Sequence, residues 1–275
     1  MRLERARGLP PAGTPGLFWL GQAGFYIDTG AHRFVIDPYL SDSLARKYAE
    51  TAHPHTRMMP PPISVDDMPQ PDAVLVTHAH TDHMDPDTLR PMFRRFPAVP
   101  FIVPAARVDV ARERIGSAAR LIGMEAGQRQ SPLPGLAITA FAAAHEKLER
   151  NLAGQHVFLG YGIDSGGVRL YHSGDCIPYP GLLDAVRDYA PQVAMLPVNG
   201  RDERRLSAGI PGNFTLTEAI ELAQESGAAF LVPHHFGLFD FNTIDPEEID
   251  RAAKKADGPL RVLRPRAGER LDFLP

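Results

Sequence analysis

Residues 77–85 read T-H-A-H-T-D-H-M-D and place four metal-binding side chains, His78, His80, Asp82 and His83, within six positions. Imidazoles and carboxylates crowded this tightly repel and desolvate one another unless something binds them together, and a divalent cation does that best. The preceding run, Asp72-Ala-Val-Leu-Val76, is short and apolar, as a buried strand requires. Asp85-Pro86 follows, an N-cap residue and a residue suited to the first helical position. The cluster is therefore expected on a loop leaving the end of a strand, where alternate side chains can converge on one point.

The rest of the chain supplies elements that could frame such a loop. Leu17–Leu20, Gly24–Ile27 and Arg33–Asp37 read as strands, with a glycine turn between the first two. Ala98–Val103 reads as a strand, Ala105–Ile115 as a helix and Leu136–Phe141 as a strand. Val157–Ile163 and Val168–His172 form an expected hairpin around Ser165-Gly166-Gly167. Val193–Val198 is a strand, and Thr215–Ser226 is a helix opening on a T-L-T-E capping box. Phe230–Pro233 is a strand running into His234-His235, and Pro246–Ala256 is a final helix. Strands alternating with helices in both halves indicate an α/β layered fold. Residues 1–16 are charged and rich in Pro and Gly and are expected to be a tail. Residues 17–275 are expected to form a single domain, with a polar, proline-rich excursion over residues 41–70.

Composition narrows the function. A chain of 275 residues with net charge −4 shows no basic footprint, which speaks against nucleic acid as a partner. The single cysteine, Cys176, excludes an intramolecular disulfide and fits a reducing compartment. No apolar run approaches the roughly eighteen residues of a membrane span, and the charged start lacks the apolar stretch of a signal peptide. The expectation is a cytoplasmic protein acting on a small molecule, with homo-oligomer formation left open.

A two-metal site needs more ligands than the cluster holds, and three further candidates also follow strands. These are His145 in F-A-A-A-H, Asp175 in H-S-G-D and His235 in V-P-H-H-F-G. Strand C-termini are where ligands gather in α/β folds.

This set, H-x-H-x-D-H, a later lone His, a G-D after a strand and a last strand-ending His, resembles the metallo-β-lactamase superfamily. Within it, W-L-G-Q-A-G-F at Trp19–Phe25, L-Y-H-S-G-D at Leu170–Asp175 and V-P-H-H at Val232–His235 look like the L-ascorbate-6-phosphate lactonase group. H-F-G-L-F at His235–Phe239 is similar to the H-W-G-x-F of N-acyl phosphatidylethanolamine phospholipase D. The resemblance implies a four-layer αββα sandwich and two divalent ions, zinc or manganese. It assigns one ion to His78, His80 and His145 and the other to Asp82, His83 and His235, with Asp175 bridging. It also implies a metal-bound water or hydroxide as nucleophile, which Asp82 could orient or deprotonate besides ligating. His234 competes with His235 for the last ligand position. The H-W-G-x-F alignment favours His235 and leaves His234 as a neighbour or substrate contact.

The implied activity is hydrolysis of a small anionic ester or lactone. A phosphodiester is the alternative substrate, and an iron-dependent redox enzyme is the alternative class on the same fold. Asn199-Gly-Arg-Asp-Glu-Arg-Arg205 follows a strand on the same edge, so Asn199 and an arginine could read the substrate's anion. Arg204 is favoured because it matches the arginine of a similar N-P-R-G segment in the lactonase group. For His53, His55 and Arg57, with no strand to position them, surface exposure is expected. Trp19 and Gln22 are expected to serve core packing, and Cys176 to be a small buried residue beside the site.

Overall fold

The computed structural model describes residues 1–255 and 258–274. Two mixed sheets pack face to face with helices outside them, the αββα sandwich expected from the sequence. The first sheet runs β1 (Arg2–Arg7), β15 (Glu269–Leu274), β2 (Gly16–Gly21), β3 (Gly24–Asp28), β4 (Arg33–Ile36), β5 (Ala73–Leu75), β6 (Phe101–Pro104) and β7 (Leu121–Met124). The second runs β14 (Arg261–Val262), β13 (Phe230–His234), β12 (Val193–Pro197), β11 (Val168–His172), β10 (Leu159–Ser165), β9 (Leu136–Ala142) and β8 (Arg129–Leu133).

The period-2 alternation of the first sheet explains why its strands read as continuous apolar runs. Leu17, Trp19, Phe25, Ile27, Phe34, Ile36 and Leu75 point between the sheets and pack with Ile138, Leu159, Tyr161, Ile163 and Leu170 of the second. Their neighbours Phe18, Leu20, Tyr26, Val35 and Val74 point outward onto Leu89 and Met92 of α2 (Pro86–Arg95) and Ala111 and Ile115 of α3 (Val108–Ile115). Both faces are buried, which leaves the middle of these strands apolar and puts polar residues such as Asp28 and Arg33 at their ends. On the second sheet α6 (Leu216–Glu225) packs with α4 (Leu182–Tyr189), and Thr215 and Glu218 form the expected capping box. Asp85 caps α2 by accepting from the Asp87 amide.

The N-terminal segment departs from the sequence expectation. Residues 2–7 are not a tail but an edge strand in antiparallel register with β15, Arg2 opposite Leu274 and Arg7 opposite Glu269. Its polar composition suits an edge that faces water, and its partner lies at the other end of the chain. α7 (Pro246–Lys255) forms where expected, while Ala256 lies outside the described residues. No described helix is long and apolar enough to cross a membrane.

Candidate metal centre

His78, His80, Asp82 and His83 leave β5 as a loop that α2 terminates. His145 follows β9, Asp175 follows β11 and His235 follows β13. The parallel pairings of β4 with β5, and of β11 with β12 and β12 with β13, bring these C-terminal ends to one edge of the sandwich. Gly174 makes the approach of Asp175 possible. Its φ is +62°, and a Cβ there would lie 2.6 Å from the Leu159 carbonyl oxygen and 2.9 Å from the Thr77 Cβ. Four non-glycine residues at or next to the site also have left-handed backbone: Gln22, Asp37, Glu146 and His235. Such strain is held only where surrounding contacts over-determine it. His235, for instance, donates its amide to the Gln22 carbonyl at 2.9 Å.

Asp175 is central. Its Oδ1 lies 3.3 Å from His83 Nε2, and its Oδ2 lies 3.2 Å from His235 Nε2 and 3.7 Å from His145 Nε2. Asp82 Oδ2 lies 3.7 Å from His83 Nε2 and 3.6 Å from His235 Nε2. Two sets of donor atoms converge, His78 with His80 and Asp175, and Asp82 with His83 and His235. A tetrahedral ion with bonds of about 2.1 Å sets its ligand atoms about 3.4 Å apart. The observed separations bracket that value. Buried His78 Nε2, His83 Nε2 and Asp175 Oδ1 have no hydrogen-bond partner among the described residues, which fits side chains shaped to hold cations.

The remaining polar atoms are tied from behind. Asp37, buried at the end of β4, accepts from His83 Nδ1 at 2.7 Å and from the Thr77 hydroxyl at 2.6 Å. The Thr77 hydroxyl, already donating to Asp37, accepts from His78 Nδ1 at 3.0 Å. Both imidazoles thereby carry hydrogen on Nδ1 and turn the Nε2 lone pair toward the centre. Gln22 donates its amide to Asp82 Oδ2 at 2.9 Å and lies 3.2 Å from His235 Nε2. Burial opposes the charge on Asp175, but His235 and His83 outweigh it and hold the carboxyl well below its usual range. Burial likewise opposes protonation of His235, yet the Asp175 and Asp82 carboxylates push it up to about 9. Burial takes His145 down to about 4, in spite of Asp175.

The cluster forms part of the wall of a cavity of about 500 Å³, within the range of small-molecule sites. Several expectations about that cavity are corrected. Arg204 is exposed in α5 (Glu203–Ser207) and is not among the residues lining it. Arg201 is spent on a two-pronged pair with Glu218, and Arg205 on Asp202 and the Asn199 carbonyl. Asn199 is itself buried and touches the cavity only through Asn242, to which it donates at 2.8 Å. His234 points away from the cluster, stacked on His172 at 4.4 Å and edge-on to Phe25. His53, His55 and Arg57 are not fully exposed either, unlike Pro54 and Thr56 between them. His53 and His55 line the cavity, and the Arg57 side chain is only 6% exposed, bonded to the carbonyls of Tyr39, Ser41 and Met59. Cys176 is buried beside the site as expected, and burial pushes its thiol up to about 12.

Asp37, Thr77 and Arg114 stand in no sequence pattern that marks them as part of the site, and Gln22 does more than pack. Trp19 does pack, stacked on Phe236 at 4.8 Å, while Gln22 nearby reaches Asp82 and His235. A lone glutamine between two glycines in an otherwise apolar strand pair was the available signal.

Residues 32–236 match the model of the beta-lactamase superfamily domain. A UPF0173 metal-dependent hydrolase of Polynucleobacter asymbioticus is 29% identical, the alignment covering 98% of this chain and 90% of that protein. Among solved structures, the metallo hydrolase Igni18 of Ignicoccus hospitalis superposes with a TM-score of 0.69 at 23% identity, over 95% of this chain and 99% of its own. The isothiocyanate hydrolase from Delia radicum gut bacteria gives 0.74 at 18% identity, over 94% and 98%. These two likenesses concern the fold.

Proposed function

Because the chain belongs to the beta-lactamase superfamily, we propose that it is a metal-dependent hydrolase whose substrate is a small anionic ester or lactone. His78, His80 and His145 would hold one divalent ion and Asp82, His83 and His235 a second, with Asp175 between them. When bound, two such ions, zinc or manganese, supply Lewis acidity and lower the pKa of water toward about 7. The chain's own groups do the rest. Asp37 and Thr77 fix the histidine tautomers and prevent the rings from turning. Asp82 is the more accessible carboxylate, its side chain 17% exposed against 4% for Asp175. With Oδ2 held by Gln22, its other oxygen is free to orient a water or accept its proton.

The observation that carries the anionic preference is the charge of the cavity lining. Lys47 and Arg114 contribute to it, whereas Asp82 and Asp175 are its only carboxylates among the described residues, and both belong to the ligand set. A loaded site is therefore strongly positive. Arg114 donates to the carbonyls of Ala79 and Met84, which ties α3 to the ligand loop and fixes the charge there.

The test is metal analysis of the purified protein followed by a screen of the zinc- and manganese-loaded forms on lactones, anionic esters, phosphodiesters and thioesters. Turnover of a lactone or anionic ester is the expected result. Preference for phosphodiesters would move the substrate class. Iron content with dioxygen consumption would overturn hydrolysis.

A further inference from the structure

Part of the cavity is not used by the hydrolytic chemistry. Tyr48, His53, His55, Phe239, Phe241 and Asn242 line it from two chain segments, one before β5 and one after β13. His55 stacks on Tyr48 at 4.4 Å and meets Phe239 and Phe241 edge-on at 4.9 and 4.7 Å. His53 packs on Phe241 at 5.2 Å. Aliphatic residues would exclude water equally well, whereas rings offer flat faces and edges that favour a flat unsaturated guest.

Among the polar groups of this wall, which include the Tyr48 hydroxyl and the His53 and His55 imidazoles, Asn242 is the one whose orientation its hydrogen bonds determine. Its Oδ1 accepts from Asn199 Nδ2 at 2.8 Å and from Arg205 Nη1 at 3.1 Å. A guanidinium can only donate, so the atom facing Arg205 must be oxygen. The Asn242 Nδ2 group therefore lies on the other side, and it has no acceptor among the described residues. The arrangement is braced in turn. Arg205 is held by Asp202 and the Asn199 carbonyl, and Asn199 Oδ1 accepts from Asn213 Nδ2 at 3.1 Å. A pinned donor without an acceptor, set among aromatic rings in a cavity wall, is suited to reading an oxygen on a bound ring.

We propose that this wall is a recognition subsite for a flat, unsaturated ring bearing an oxygen acceptor, with Asn242 Nδ2 donating to that oxygen. It would make the substrate of the hydrolase reading, on which the inference rests for the rest of the cavity, an aryl or heteroaryl carbonyl compound. The probes are 2-naphthoate and its saturated counterpart decahydro-2-naphthoate, titrated by ligand-observed NMR into metal-loaded and metal-stripped protein. The expected result is at least about tenfold tighter binding of the aromatic acid in both forms. Phe241→Leu, which stays apolar but removes the ring, should abolish the preference. Asn242→Asp, which keeps the shape and the contact to Arg205 but replaces the donor, should weaken naphthoate about tenfold. Thermal midpoints close to that of the parent show that each variant remains folded, and Phe241→Tyr, which restores a ring, should keep the preference. No aromatic preference in the parent protein, or a preference surviving both variants, overturns the subsite. Preference intact in protein that takes up no metal would overturn the hydrolase reading alone, and metal uptake without preference would overturn this one alone.

Discussion

His78, His83 and Asp175 leave strands of the two sheets and are braced by Asp37, Thr77 and a glycine turn. His53, His55, Phe241 and Asn242 share the same cavity but stand on segments with no strand or helix, braced by ring contacts and one arginine. The first group is fixed by backbone ladders that run through the core. The second is fixed by side chains contributed from two distant excursions. Donor atoms that must keep register are thus placed by the sheets, whereas the wall proposed for recognition is placed by loops.

If this contrast is correct, substitutions on the sheet-borne side should act through metal content. The largest effect is expected for Asp175→Ala, which removes the carboxylate between the two donor sets. One metal should be lost and turnover should fall on the order of a thousandfold, from several kcal/mol of lost stabilisation. Elemental analysis alongside kinetics checks it, and retention of two metals would move the bridge elsewhere. Asp37→Ala touches no ligand position but frees the His83 ring, and it should weaken metal affinity by about 10–100-fold. Competition with a chelator measures this, and an unchanged affinity would mean that the brace is idle. Gln22→Ala should lower turnover by about tenfold with metal content kept, since it removes a single donor to Asp82. Loss of metal instead would place Gln22 among the braces. Arg204→Ala is expected to leave KM within about twofold, as for an exposed residue outside the cavity. A large rise in KM would restore the arginine loop as the substrate reader and break the comparison.

The strands of the central ladders were legible because both faces of each are buried, which leaves apolar runs bounded by turns. The seven candidate ligands were legible because all lie on loops that follow such runs. β1 was not, since an edge strand facing water carries a polar composition that reads as a tail, and its partner β15 lies some 260 residues away. The short helix over 203–207 hid the fate of the arginines for a related reason. Local spacing placed Arg204 after a strand, but helical rotation turned it to solvent while Arg205 turned inward to Asn242. The histidines at 53 and 55 looked exposed because the rings that bury them, Phe239 and Phe241, come from a different part of the chain.

Residue type and spacing by themselves determined the layered α/β architecture and where ligand-bearing loops must leave the strands, because periodicity and turn chemistry act over a few residues. The tertiary structure decided between His235, which the resemblance favours, and His234, and turned His235 toward the cluster. It alone decided that Gln22 and Asp37 support the candidate ligands, and which residues complete the cavity. Those outcomes depend on the left-handed turn at the end of β13 and on contacts between segments far apart in sequence, which no local pattern encodes.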